Sequence, residues 1–364
     1  SLSVTVCHLT LSLFLCYSLL ERSTNMIRQE DIYLKNTIVH ILDSTVGMPV
    51  LSDTELEHGS DFADFIKAHI AKITSGDDLK SCSFSEDSVV RGYLDDLEEH
   101  GFVKVSQDIS THLFTIMNQN IDIPPADFII CHFSANENTY LALLKMNYKT
   151  SYTHHTDSDA FGNTNDIIKF KAILPNESQK LTEAAVINLT DYQIQLIEKK
   201  YDVNGTKTNY FSSLFLGCHG SLSSKSKLSI VTKEIDKVQK KYFDEEEQYA
   251  ASMNTKNIIY TELEEEGTLS IPDVLDKVFP EKPEFREEVT EKLEKYNISE
   301  TEITPQNTAT LKRYEKQCLS TDTGVEIKIP MEQYRSGDSI EFITNEDGSI
   351  SILIKNIGHI TSKM

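Results

Sequence analysis

Residues 210–227, Tyr-Phe-Ser-Ser-Leu-Phe-Leu-Gly-Cys-His-Gly-Ser-Leu-Ser-Ser-Lys-Ser-Lys, set the tightest limit on how this chain can fold. They are apolar first and basic afterwards. Phe211, Leu214, Phe215 and Leu216 recur at spacings that give a short helix one buried face, and Gly217 and Gly220 interrupt the pattern before a Ser/Lys run begins. The stretch predicts a buried anchor leading into an exposed, cationic edge.

A chain of 364 residues exceeds the size at which one core stops growing, so two domains are expected. With 39% hydrophobic residues, 9 Pro and 14 Gly, a sizeable core is available. The formal net charge of -22 disfavours indiscriminate attraction to nucleic acid or anionic membrane, so any surface that binds a polyanion must be local. The cysteines at 7, 16, 82, 131, 218 and 318 form no C-x-x-C pair, which suggests neither a disulfide framework nor a zinc knuckle and points to a reducing cytosol.

Residues 1–25 do not match the rest of the chain. Their apolar run from Leu9 to Leu20 is broken by Thr10, Ser12 and Ser18 and is shorter than the ~20 residues of a membrane span. No Lys or Arg precedes it, and a small-residue cleavage pattern is missing. It reads as a non-native leader or upstream extension, with the working protein starting at Met26; a targeting segment is the alternative.

The remaining chain predicts an α+β protein. A mixed-sheet N-terminal domain with flanking helices is expected over 26–244, and a smaller acidic α+β domain ending in a β-hairpin over 245–364. Residues 31–41 read as a strand, 61–73 as a helix begun at Asp61, 89–100 as a helix stopped by Gly101, and 109–118 as a further helix. The apolar run 127–133 reads as a buried central strand that forms a hairpin with 139–148. His154, His155, Asp157 and Asp159 fall in a polar loop before a strand at 167–173, and 184–189 is a short strand. Helices are expected at 190–201, 228–242, 268–278, 284–296 and 304–317, then strands at 324–329, 340–344 and 349–354, the last two joined through Asn345, Asp347 and Gly348.

Charge is distributed unevenly along the chain. Lys199, Lys200, Lys207, Lys225, Lys227, Lys233, Lys237, Lys240 and Lys241 face only three acids between 199 and 241, a local excess of six positive charges. From 244 to 302 the balance reverses to eighteen acids against six bases, which places a domain boundary near Glu245. Clustered lysines, rather than net charge, are what phosphate neutralisation needs. Without Arg in the segment, backbone contacts are a better expectation than base readout. Lysines on the outer faces of helices also serve simply as a solvated surface.

Catalytic and metal signals are weaker. Cys218 beside His219 suggests a thiol nucleophile, but sequence neighbours seldom place thiolate and imidazole productively and no oxyanion loop is recognisable. His154, His155, Asp157 and Asp159, with His132, offer ligand types for a divalent metal without helical i, i+4 spacing. Neither G-x-x-x-x-G-K-[ST] nor G-x-G-x-x-G occurs, so ATP- or dinucleotide-driven work is not expected. No catalytic centre, metal site or cofactor is assigned.

Phe128–Phe133 followed by 141–148, the run Asn-Asp-Ile-Ile-Lys-Phe-Lys-Ala-Ile-Leu-Pro-Asn-Glu-Ser-Gln-Lys at 165–180, the turn 215–218 and the closing Thr310-Leu-Lys-Arg helix with its β-hairpin resemble the NdpA family of bacterial nucleoid-associated proteins. The likeness spans roughly 32–357. It departs from the family pattern in residues 1–25 and in Ser221, Ser223 and Ser224 among the lysines. The resemblance implies a cytoplasmic, nucleoid-associated, DNA-binding protein with no catalytic centre. The leading expectation is therefore a non-enzymatic protein that contacts double-stranded DNA through the nine lysines, largely without sequence specificity; a homodimer is expected separately, because the aromatic-rich stretch 210–216 and the hairpin strands supply more apolar edge than a monomer of this charge need expose. An acidic protein-protein adaptor recruited to the nucleoid through its C-terminal domain is the alternative, and a metal-dependent enzyme of nucleic-acid metabolism comes third.

Overall fold

The computed structural model describes residues 26–57, 59–159, 162–336, 339–345 and 348–361. The apolar run at 9–20 and the rest of 1–25 lie outside them, as does Asp347. Two compact units divide between Ser223 and Ser224. The charge switch at Glu245 falls at the start of a helix inside the second.

In the first unit, β1 (Tyr33–Leu42), α1 (Ser60–Thr74), β2 (Lys80–Phe84), α2 (Val89–Asp95), α3 (Leu97–His100) and α4 (Phe102–Gln119) precede β3 (Ala126–Ala135) and β4 (Asn138–Asn147). Then come β5 (Lys149–Asp159), β6 (Gly162–Ile173), β7 (Glu183–Asn188), β8 (Ile194–Ile197), β9 (Tyr201–Val203), β10 (Thr206–Thr208), a π-helical turn at Phe211–Leu216 and β11 (Cys218–Gly220). Seven strands form one sheet in the order β1-β3-β4-β7-β8-β2-β11, antiparallel at every pairing. The α+β class holds.

Both faces of this sheet are covered, which explains the unbroken apolar run of β3. Phe128 and Ile130 of β3, Leu141 and Leu143 of β4 and Ala185 and Ile187 of β7 join one core with Val105, Ile109, Leu113 and Met117 of α4. The alternate residues Ile129, Cys131, Phe133, Ala142, Leu144, Ala184 and Val186 join a second core with Ile66, Ile70 and Ile73 of α1. Period-2 alternation thus divides apolar residues between two cores instead of between core and water. Burying each large side chain contributes about 1.5–3 kcal/mol.

Several expected elements differ. Residues 190–201 form no helix: Tyr192 adopts φ +58 in a turn and Ile194–Ile197 is a strand between β7 and β2. A run that short carries too few apolar residues to separate the two periods. The expected polar loop holding His154, His155, Asp157 and Asp159 is the strand β5, paired residue by residue with β6. The helix read over 89–100 is two short ones, broken at Asp96. The hairpins β3–β4 and β16 (Ile340–Thr344) with β17 (Ile350–Ile354) form as expected; Asn136 and Glu137, both at positive φ, make the turn of the first.

The anchor at 210–216 is buried in the first unit. Tyr210, Phe211, Phe215 and Leu216 are all enclosed, and Phe211 and Phe215 rings lie 4.9 Å apart. Leu214, expected on the buried face, is 44% exposed, because the wider winding of a π turn rotates it outward. The free carbonyls at the end of this turn are satisfied from outside: Ser88 Oγ donates to Leu216 O at 2.7 Å, and His112 Nε2 lies 3.2 Å from Phe215 O. Gly217 closes the turn at φ +58. Gly220 lies so close to β2 that a Cβ there would meet Ser81 O at 2.2 Å.

Two buried polar groups organise the sheet. Lys145 of β4 and Glu183 of β7 are register partners, both fully enclosed, with Nζ and Oε1 3.9 Å apart. Lys145 donates to Pro124 O at 2.9 Å and to Asn147, while Asn147 Nδ2 (2.7 Å) and Tyr210 OH (3.3 Å) donate to Glu183. Burial lowers the Lys145 amine to about 8, opposed by the Glu183 charge. Tyr201 and Tyr210 are pushed well above the usual phenol range, first by burial and then by Glu183. At the sheet edge, His40 Nδ1 accepts from Ser52 N at 3.1 Å and its Nε2 lies 3.0 Å from Ser106 Oγ. Ser106 donates its own proton to Val103 O, so His40 is the neutral Nε2–H tautomer. Residues 50–56 cover the outer edge of β1 through the Ile41–Val50 bridge and Leu56 N to Thr37 O at 2.7 Å.

The second unit begins with α5 (Ser224–Tyr242) and α6 (Glu245–Glu265). Leu228, Val231, Ile235 and Val238 are the buried stripe of α5, at the spacing of a one-faced helix. Asp244 starts α6 with a capping box, accepting from Glu247 N at 2.9 Å while Glu247 accepts from Asp244 N at 3.3 Å. After the short strand β12 (Leu269–Ser270) come α7 (Ile271–Val278) and α8 (Pro283–Glu294), each with Pro in its first turn. Beyond β13 (Glu302–Ile303), α9 (Thr308–Tyr314) leads into the ladder β14 (Lys316–Ser320) with β15 (Glu326–Pro330), then α10 (Met331–Ser336) and the closing hairpin.

Candidate nucleic-acid interface

The nine lysines do not form one cluster within either unit. Lys199, Lys200 and Lys207 belong to the first, Lys199 lying 5.4 Å from the centre of the Tyr201 ring and Lys207 on the short strand β10. The other six lie on α5. Three of these are neutralised locally: Lys237 by Glu234 at 2.6 Å, Lys240 by Asp236 at 2.7 Å, and Lys241 by Glu288 at 3.0 Å. Glu288 also accepts from Tyr242 and Lys292; hydrogen bonds from Lys292, Lys241 and Tyr242 hold its carboxyl down at about 2.

Lys225, Lys227 and Lys233 make no ion pair among the described residues. Lys225 and Lys233 share a wall of a cleft of about 360 Å³ with Ser229, Thr232 and Asp236; its opposite wall includes Ser252, Arg313 and Tyr314. Lys227 is half-buried and does not line the cleft. Arg313, in the last turn of α9, is exposed and also without an ion pair among the described residues. A second cavity of about 250 Å³ adjoins, sharing Thr232, Asp236, Ser252, Arg313 and Tyr314. Lys256 lines it, with Nζ donating to Lys316 O at 2.5 Å and its amine lowered by burial. Three uncompensated cations, with Ser229 and Ser252 hydroxyls beside them, suit an anion.

Arg313 is a cleft residue that sequence reasoning does not find. The basic segment ends at Lys241 and holds no Arg, and only the packing of α9 against the helical face of this unit brings a guanidinium to the cleft. The Lys312–Arg313 pair in the final turn of a helix capped by Asn307 is the available signal.

The fold keeps the other chemistry candidates apart. On β11, Cys218 points into the core while His219 points outward and lies 3.1 Å from Ser85 Oγ, so strand alternation separates thiol from imidazole. His154 and His155 take opposite faces of β5, with Asp157 3.1 Å from His155. His132 belongs to the seven-stranded sheet, 3.0 Å from Asn36, and is lowered chiefly by burial. Among the described residues no three His, Cys, Asp or Glu side chains gather as a metal site, and no helix is long and apolar enough to cross a membrane.

An antiparallel sheet clad by helices, followed by a unit of helices and short two-stranded ladders with a cationic cleft, is the frame of an α+β protein. The chain belongs to the family described as Nucleoid-associated protein YejK, whose profile matches residues 38–362. This is a family of nucleoid-associated proteins and not a known enzyme family. None of the curated proteins compared with the chain matches it.

Proposed function

We propose that this protein binds double-stranded DNA through the phosphate backbone, with little regard to sequence, and that the cleft of the second unit is the contact surface. The observation that carries the reading is the convergence of Lys225, Lys233 and Arg313, none of them ion-paired among the described residues, beside two exposed serines. Membership of a nucleoid-associated family supports it. A chain of net charge -22 is repelled by DNA at long range, so attraction must arise within roughly one Debye length, about 8 Å at physiological salt. Lys227, Lys237, Lys240 and Lys241 play at most a supporting part in this reading.

Titration of the protein with unrelated duplexes at several salt concentrations tests it. If three phosphates are neutralised, log affinity falls against log salt with a slope of about -3. Replacing Lys225, Lys233 and Arg313 together by Glu abolishes retention of every duplex without changing the thermal unfolding. Retention by the triple variant with the parent's salt slope would overturn the proposal and move the function to the adaptor alternative.

A further inference from the structure

The hairpin β5–β6 is unlike every other part of the first unit. It pairs with no third strand among the described residues, and all described residues of 149–158 and 162–172 are exposed. At ~3.3 Å per residue its strands extend roughly 35 Å. A lone two-stranded ladder is marginally stable in water, and its two unpaired edges template further strands. This arm nevertheless exposes large apolar groups: Tyr152 at 69%, Ile167 at 65%, Phe170 at 47% and Ile168 at 37%. The register places Ile167 opposite His154 and Phe170 opposite Ser151, so apolar residues occur on both faces and no single covering layer would bury them. The sheet edges elsewhere in this unit are closed: residues 50–56 cover β1, and β11 is three residues long.

Charge along the arm is polarised. Lys149, Lys169 and Lys171 lie in the half joined to the body, whereas Asp157 and Asp166 lie in the distal half. Two arms laid antiparallel bring the basic half of each beside the acidic half of the other; a parallel arrangement opposes like charges. We infer that β5–β6 is a self-association arm whose occupant is the same arm of a second copy, edge to edge and antiparallel, forming a four-stranded ladder. Pairing through the β6 edges satisfies their N–H and C=O groups and places Ile167, Ile168 and Phe170 beside the same residues of the partner. The charge gradient selects the orientation rather than making individual ion pairs, and the lysines discourage association with edges lacking that acidity. The expected homodimer thus rests on the arm and not on residues 210–216, whose aromatic rings are buried within their own unit.

The test uses the full chain and its mass in solution at micromolar concentration, by light scattering and sedimentation. The parent should show the mass of two chains. Lys169→Glu/Lys171→Glu and Asp157→Lys/Asp166→Lys should each weaken association by roughly tenfold or more, since each makes both halves of the arm alike in sign. An equimolar mixture of the two variants should regain the two-chain mass, because each then meets opposite charge at both ends; this rescue also shows that both variants are folded. A one-chain mass for the parent, or two-chain masses for both variants alone, would sink the inference. So would loss of duplex retention by the arm variants from a monomeric parent, which would assign the arm to DNA.

Discussion

The hairpins β3–β4 and β5–β6 are consecutive in the chain, are of nearly equal length, and differ in almost everything else. The first is enclosed on both faces; the second is exposed on both. Pairing and length are therefore not what decides burial. β3 offers Phe128, Ile129, Ile130, Cys131 and Phe133 within six positions, so each face presents enough apolar area to retain a layer of helices. From 149 to 158, β5 offers only Tyr152. A strand of Thr, Ser, His and Asp still pairs, its Thr and Tyr residues suiting the pleat, yet it adds almost no apolar area to Ile167, Ile168 and Phe170 of β6, which are divided between two faces and leave neither with enough to hold a layer of helices.

Substitutions should separate the two hairpins further. The largest effect belongs at the end of β4, where Lys145→Met strands the Glu183 carboxylate inside the sheet and should cost about 3–5 kcal/mol. Replacing both as Lys145→Met/Glu183→Leu should recover much of that loss; urea unfolding of the first unit reads both, and a double variant no better than the single would refute a compensated pair. Next comes Leu143→Ala, expected to cost about 2–5 kcal/mol through lost burial and a residual cavity. Smallest is Ile167→Ala on the arm, which in dilute, monomeric protein should change stability by no more than about 0.5 kcal/mol. A loss like that at Leu143 would mean the arm is packed against its own chain.

Legibility in the sequence divides along the same line. The apolar runs at 127–133 and 139–148 announce β3 and β4, and the stripe Leu228, Val231, Ile235 and Val238 announces α5, because each carries enough periodic apolar residues to fix its state. β5 is illegible for lack of them, and Ile194–Ile197 because a four-residue strand fits either period. β2 and β11 carry no usable signal; they are short, and β11 exists only because Gly217 and Gly220 let the chain turn and press against its neighbour. In the cleft, Lys225 and Lys233 are visible as charges. Which lysines are neutralised by Glu234, Asp236 or Glu288, and that Arg313 arrives opposite the others, depends on packing between helices that sequence spacing does not encode.

The His40 bridge gives the covered edge of β1 a chemical weak point. Burial holds its imidazole down at about 4, against an unfolded value near 6.5, so the folded chain binds fewer protons across that interval. This contribution to stability is complete above pH 6.5 and is lost as the pH falls to about 4. Protonation sets an Nδ1–H against the Ser52 N–H, donor facing donor, and removes one of the contacts that hold residues 50–56, the others being the Ile41–Val50 bridge, Leu56 N to Thr37 O and Ser52 Oγ to Val39 O. Where that weakened cover opens, β1, ten residues long, offers an edge for strand-upon-strand growth. Mild acid should accordingly turn solutions of this protein fibrous, with thioflavin fluorescence rising below about pH 5, and His40→Gln should alter that threshold.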